Sequence, residues 1–259
     1  MCGTGDDRGA CAQTDVKFST MQDRYAGDIG DYVKLGLLRA LSAGRRLGVA
    51  WYLHPDEAHN SDGRHIAYLS DPARWRHLDP ELFDGLCNLV LTTRSVEEIE
   101  RTGLLPAKFH REATLSDFRD WRGRAAHRTV WFAGLSDALR TCNIIFADPD
   151  NGLVDDSPLR IRDKKHAKQI SLREAIALAD GRPAIIYHHN TRFKGGHERE
   201  VDHWLAQFGS RALAIRATAF SCRTFFILNP DKEIEERVEM FCARWATAKV
   251  RLHGAAPQS

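Results

Sequence analysis

Apolar residues along this chain fall into short runs bounded by turn formers, and between the runs they recur every three or four positions. Seven runs have strand character: residues 47–53, 88–92, 129–133, 143–147, 184–188, 212–217 and 224–228. Short, nearly unbroken apolar runs describe strands buried on both faces of a sheet. Helical spacing fills most gaps: Val201, Trp204, Leu205 and Phe208 make one apolar face, and Ile234, Val238, Phe241 and Trp245 make another. Ser95-Val-Glu-Glu98 and Ser171-Leu-Arg-Glu174 have capping-box form, in which a hydroxyl and a carboxylate satisfy two otherwise unpaired backbone N–H groups at a helix start. Strand and helix in alternation predict an α/β fold with helices on both faces of a parallel sheet. Only six residues, 218–223, separate the last two runs. A parallel crossover needs a dozen or more, so these two strands are expected to pair as an antiparallel hairpin at one end of the sheet. The predicted architecture is a Rossmann-like three-layer sandwich whose seven-stranded sheet is mostly parallel.

Composition adds limits. With 259 residues, 43% of them hydrophobic, the chain can bury a substantial core. One domain is expected over residues 21–250, with a long insertion at 54–87 and a short flexible tail at 251–259. Residues 1–20 are polar and aperiodic, and read as a flexible leader. Deleting them should shift the melting temperature by less than about 2–4 °C, the change that ~1 kcal/mol produces in a domain of this size; a larger fall in a thermal melt would show the leader to be docked. No apolar run reaches the roughly 18 residues that a membrane span requires. The net charge of +2 does not by itself call for a polyanionic partner. Six Cys without CxxC spacing fit reduced thiols and a cytoplasmic protein better than a disulfide framework.

Candidate chemistry concentrates after the 143–147 run. Asp148, Asp150 and Asn151 would stand just beyond a strand's carboxyl end, where open α/β sheets bind ligands, although Pro149 and Gly152 make an ordinary turn an alternative. Tyr187-His188-His189-Asn190 follows the next run; successive strand residues point to opposite faces, so at most one of the two imidazoles should enter the same crevice. Arg160, Arg162, Lys164, Lys165, His166 and Lys168, with Arg192 and Lys194 later, form basic stretches that suit phosphate or a solvated helix face. Asp56, Glu57, His59, Asn60, Asp62 and His65, with Asp148, Asp150 and Asp155, offer oxygen and nitrogen donors for a divalent ion that would cleave a phosphodiester; a solvated loop has the same composition. Asp28 and Asp31 are either helix caps or ligand contacts.

Three segments resemble the RlmJ-type ribosomal RNA adenine-N6 methyltransferases, in the same order. Arg24-Tyr-Ala-Gly-Asp-Ile-Gly-Asp-Tyr-Val-Lys34 is similar to that family's N-terminal segment, Asp148-Pro-Asp-Asn151 occupies the place of its Asp-Pro-Pro-Tyr motif, and Phe226-Ile-Leu-Asn-Pro-Asp231 is similar to its terminal Ile-Asn-Pro-Pro segment. The stretch from Trp51 to Leu69 also resembles a group of uncharacterised bacterial proteins. The methyltransferase likeness implies a class I methyltransferase fold and S-adenosylmethionine as cofactor, with a nucleobase or nucleic acid as methyl acceptor. It implies Asp148, Asp150 and Asn151 as catalytic residues, with Asp148 accepting a hydrogen bond from an exocyclic amine and Lys34 neutralising the cofactor carboxylate. Tyr25, Asp28, Lys34, His54, Asp56, Asn60 and Asp62 are the expected cofactor contacts, and His188, His189, Arg192, Lys164 and Lys165 the expected substrate contacts. A metal-dependent phosphodiesterase or nuclease on the same scaffold, and a non-catalytic nucleotide or nucleic-acid binding protein, are the alternatives.

Overall fold

A computed structural model describes residues 25–53, 65–114, 118 and 120–254. Helix α1 (Ile29–Ser42) leads into β1 (Leu47–Trp51), and α2 (Pro72–Trp75), α3 (Pro80–Leu91) and α4 (Val96–Arg101) carry the chain to β2 (Ala107–His110). Then come α5 (Trp121–Ala138), β3 (Ile144–Asp148), β4 (Leu153–Val154), α6 (Pro158–Arg162), β5 (Ile170–Ser171), α7 (Leu172–Leu178) and β6 (Ala184–His189). The last described elements are α8 (Gly196–Phe208), β7 (Ala212–Ala217), β8 (Arg223–Leu228), α9 (Lys232–Arg244) and β9 (Val250–Leu252).

Seven strands form the main sheet in the order β2-β1-β3-β6-β8-β7-β9, and β4 pairs β5 in a small parallel ladder. Pairs β1–β2, β1–β3 and β3–β6 are parallel, whereas β6–β8, β8–β7 and β7–β9 are antiparallel. The sheet is therefore mixed, which corrects the expectation of a mostly parallel one. The short 218–222 connection returns β8 against β7 as an antiparallel hairpin, as its length requires. That hairpin does not end the sheet, because β9 adds a further antiparallel strand outside β7. A seven-stranded mixed sheet between helices is compatible with a Rossmann-like α/β fold.

Two expected strands are helical. Residues 88–92 close α3, whose Asp79 cap accepts from Leu82 N at 3.1 Å and whose Leu82, Phe83, Leu86 and Leu89 form one buried stripe. Leu91 is 83% exposed, so the apolar run is the end of a helical stripe and not a doubly buried strand. Residues 129–133 lie inside α5, capped by Asp120 through Gly123 N at 2.8 Å; Arg128, Trp131 and Leu135 face inward at helical spacing while Val130 is 71% exposed. The main-sheet strands the pattern missed, β2 and β9, have few fully buried positions.

Alternation along the central strands builds the two core layers. Val49, Trp51, Phe146, Ile185, Phe225 and Ile227 face α1, α3 and α9, whereas Ala50, Ile145, Ala147, Ile186 and Phe226 face α5, α7 and α8. Each such large apolar side chain contributes about 1.5–3 kcal/mol on burial, the main term holding helices to the sheet. A Cβ at Gly36 would lie 2.5 Å from the Trp245 ring, so glycine there lets α1 and α9 approach closely. Ser171 and Glu174 complete a reciprocal capping box on α7; Ser95 caps α4 through Glu98 N, but the Glu98 carboxylate turns to Arg101.

A buried polar network ties the end of β6 to α8. Glu200, 1% exposed, accepts from His188 Nε2 at 3.1 Å, Asn190 Nδ2 at 3.1 Å, and both the backbone N–H and the hydroxyl of Thr191. Leu153 N donates to His188 Nδ1 at 3.0 Å, which leaves Nε2 carrying the proton toward Glu200. Burial alone would raise the Glu200 carboxyl, but the hydrogen bonds from His188, Thr191 and Asn190 outweigh it and pull the group down to about 2. No helix among the described residues is long and apolar enough to cross a membrane.

Candidate functional site

From β1 the chain crosses to β2 on one side, while β3 lies on the other, so the carboxyl ends of β1 and β3 form a topological switch point, the place where open α/β sheets keep a ligand crevice. Trp51 and Asp148 are register partners at those ends and project toward α1. The Lys34 ammonium fills the space between them. It lies 2.9 Å from Asp148 Oδ2, 2.8 Å from Asp31 Oδ1 and 5.3 Å from the centre of the Trp51 ring.

The start of α1 explains how these groups are held. Asp28 is the N-cap and accepts from Asp31 N at 2.9 Å; Asp31 in turn accepts from Gly27 N at 3.1 Å, with Gly27 in the left-handed region at φ 77°. Asp31 thus serves as cap and as ion-pair partner together. One turn later Lys34 lies on the same helix face, within reach of the sheet.

One ammonium serves two carboxylates, and the titration of each group reflects that. Burial works against the Lys34 charge, but Asp148 and Asp31 overcome it and hold the ammonium above its ordinary value. Asp148 is raised above the ordinary carboxylate range by burial first; Lys34 opposes this, while Asp31 and Asp150 add to it. Asp28 is also raised, by burial and by Asp31. Both members of the Lys34–Asp148 pair are raised, Asp148 chiefly by burial and Lys34 by its two carboxylate partners.

Arg223, at the start of β8 and only 7% exposed, forms the opposite wall. Its guanidinium packs on α1 where Gly30 has no side chain, since a Cβ there would collide with it. Tyr187 lies between these groups, its phenol pushed up to about 12 chiefly by burial. The Tyr187 hydroxyl is 3.4 Å from His189 Nδ1, and partial desolvation followed by Arg223 hold His189 below the usual imidazole value. Beyond β3, Lys168 Nζ stands 3.6 Å from Asp150, and Asn151 N donates to the Lys168 carbonyl at 2.9 Å.

No protein-family model and no curated protein matches the chain. The assignment of a site therefore rests on this geometry.

Of the residues singled out in the sequence, Asp28, Lys34, Asp148, Asp150, Asn151 and His189 gather at this end of the sheet, and Tyr25 precedes α1, its carbonyl accepting from Asp28 N at 2.9 Å. His188 does not: it is fully buried on the other face, both ring nitrogens engaged by Leu153 N and Glu200. Lys164 and Lys165 are exposed on a short 3-10 turn, and Arg192 is exposed in the loop after β6. His54, Asp56, Asn60 and Asp62, like Glu57 and His59, lie outside the described residues. Asp155 accepts from Ser157 N at 2.9 Å as a turn residue, and the His65 ring packs 5.4 Å from Phe220. Among the described residues no group of three or more His, Cys, Asp or Glu side chains is placed to hold a metal ion.

Sequence reading missed Arg223 and Trp51 as parts of the crevice. Trp51 shares its strand parity with Val49 on the α1 face, a signal present in the pattern; Arg223 is brought in only by the β6–β8 pairing, which sets it opposite His189. Chemically, the site holds a buried carboxylate, Asp148, fixed at one oxygen by the Lys34 ammonium.

Proposed function

We propose that this crevice transfers a methyl group from S-adenosylmethionine to a nucleobase or nucleic acid. The observation that carries the reading is Asp148 at the end of β3, held by Lys34 of α1, in a sheet where β8 is reversed between β6 and β7. Because β6 and β7 are both antiparallel to β8, they point the same way. Strands β2, β1, β3, β6 and β7 thus share one direction, an arrangement similar to that of the class I methyltransferases. The donor set supports the cofactor: Asp28, Asp31 and Asp148 outnumber Lys34 and Arg223, which suits a ligand carrying a sulfonium and an ammonium.

When bound, S-adenosylmethionine supplies an electrophilic methyl group whose transfer needs alignment more than a strong base. Lys34 fixes the Asp148 carboxylate at one oxygen, and Asp148 accepts a hydrogen bond from the acceptor's exocyclic amine. Asp150 and Asn151 stand where the resembling family has a proline and an aromatic, so orientation of the acceptor falls to Asp148 and the Pro149 carbonyl. Exposed Lys164, Lys165 and Arg192 would contact the phosphates of a nucleic-acid acceptor.

Calorimetric titration of the full chain with S-adenosylmethionine, together with transfer of labelled methyl groups to RNA, tests the reading. Asp148→Asn should reduce transfer by about 100-fold or more while cofactor affinity stays within a few fold, because the lost interaction is made with the acceptor. Absence of binding at millimolar S-adenosylmethionine would retire the proposal.

A further inference from the structure

The turn between β7 and β8, residues 218–222, stands at the same edge of the sheet as Asp148, because β7 and β3 point the same way. Within it Ser221 N donates to the Ala219 carbonyl at 2.9 Å, and Phe220 between them has φ 66°. That is a γ-turn of the positive-φ form, rare and strained, in a region that a bulky side chain seldom enters. Both sides of the turn are tied down. Thr218 N donates to the Lys249 carbonyl at 3.1 Å, and the Cys222 carbonyl accepts from Asn190 N at 3.4 Å. The surrounding backbone thus imposes the strain on Phe220, and burial offsets little of it, since Phe220 is 59% exposed.

What the strained turn does is place a ring. Phe220 lies against His65, with ring centroids 5.4 Å apart and planes inclined by 30°. His65 is itself exposed, and its carbonyl accepts from Ile29 N at 3.1 Å, which sets both rings beside the start of α1. On the inner side, Arg223 Nη2 donates to the Ser221 hydroxyl, while the same guanidinium packs over Gly30 and its charge acts on Asp28. A line of contacts therefore runs from the Lys34–Asp148 pair through Asp31, Asp28 and Arg223 to the turn that carries Phe220. A single exposed apolar residue calls for no explanation. A strained one, stacked on a second exposed ring beside a buried polar site, does, and a flat ligand ring fits its free surface.

We propose that Phe220, backed by His65, is a stacking platform for a nucleobase at the mouth of this site, the ring belonging either to the methyl acceptor or to the cofactor's adenine. Every base presents a π face, so stacking on an aromatic side chain needs no matched set of hydrogen bonds. The choice of a nucleobase rests on the methyl-transfer reading, but the test measures binding without transfer, so the two can fail separately.

The test is calorimetric titration of the full chain with oligoadenylate and, separately, with S-adenosylhomocysteine, against ribose 5-phosphate as a ligand without a base. Asn tolerates positive φ better than Phe, so Phe220→Asn should melt no lower than the unsubstituted protein. Its affinity for base-bearing ligand should nevertheless fall about tenfold or more. Phe220→Leu, which keeps apolar bulk but no flat ring, should lose as much, and Phe220→Trp should stay within a few fold. A ring held only for structure would do the reverse, with a lower melting temperature and unchanged affinity. Loss confined to oligoadenylate assigns the platform to the acceptor's base; loss extending to S-adenosylhomocysteine assigns it to the cofactor's adenine. Oligoadenylate binding that depends on Phe220 would stand even if S-adenosylmethionine failed to bind. Unchanged affinity in a folded Phe220→Asn protein, or no binding of either ligand beyond that of ribose 5-phosphate, would overturn the proposal.

Discussion

Glu200→Ala should lower the unfolding free energy by about 3–5 kcal/mol at pH 7, since it strips a buried network of its acceptor and strands the donors around it. His188, Asn190 and Thr191 all donate to that carboxylate, and Thr224 extends the network by donating to Asn190 at 2.9 Å. Urea denaturation measures the loss, and a deficit under about 1 kcal/mol would show the network to be dispensable. In the unsubstituted protein the same carboxyl titrates at about 2 against an ordinary 4.5. A depressed carboxyl stabilises the fold above its unfolded value and loses that contribution as pH falls through the folded one. The contribution, roughly 3 kcal/mol at about 1.4 kcal/mol per pH unit, should therefore disappear between pH 4.5 and about 2. Glu200→Gln should flatten that part of the pH profile.

Lys34→Met should cost a similar amount, about 3–5 kcal/mol at pH 7, because Asp31 and Asp148 are left buried beside each other without their shared cation. Asp148 is already raised above the ordinary value of 3.8 with Lys34 present, and removing the ammonium raises it further. A raised carboxyl makes the folded state take up protons more readily than the unfolded one, so stability of the variant should recover as pH falls from 7 toward 5. Adding Asp148→Asn to Lys34→Met should restore part of the loss at pH 7 as well. Equal deficits at pH 7 and pH 5, read from denaturant melts, would mean that lost packing against Trp51 outweighs the charge.

The candidate site was partly legible in the chain. Asp148 could be placed because an apolar run ending in Pro, Asp, Asn and Gly must leave its strand there, and the period-two rule allowed only one of His188 and His189 into the crevice. Which one entered depended on register. The β6–β8 ladder sets His189 opposite Arg223 on the α1 face, and its neighbour His188 packs against α8 and Glu200.

The sequence by itself determined the α/β class, the five strands β1, β3, β6, β7 and β8, the β7–β8 hairpin, and the apolar faces of α8 and α9. These follow from local apolar period and from connection length, which act over a few residues. Only the tertiary structure decided that residues 88–92 and 129–133 are helical, that β2 and β9 complete the main sheet, and that antiparallel pairs are as frequent as parallel ones within it. An edge strand such as β2 is half solvated and leaves a weak apolar signature, while a run like 88–92 takes its conformation from the cap at Asp79 and the surface it packs on. The Lys34–Asp148 contact joins positions 114 residues apart. Its partners are selected by the close approach of α1 to the ends of β1 and β3, which no local pattern encodes.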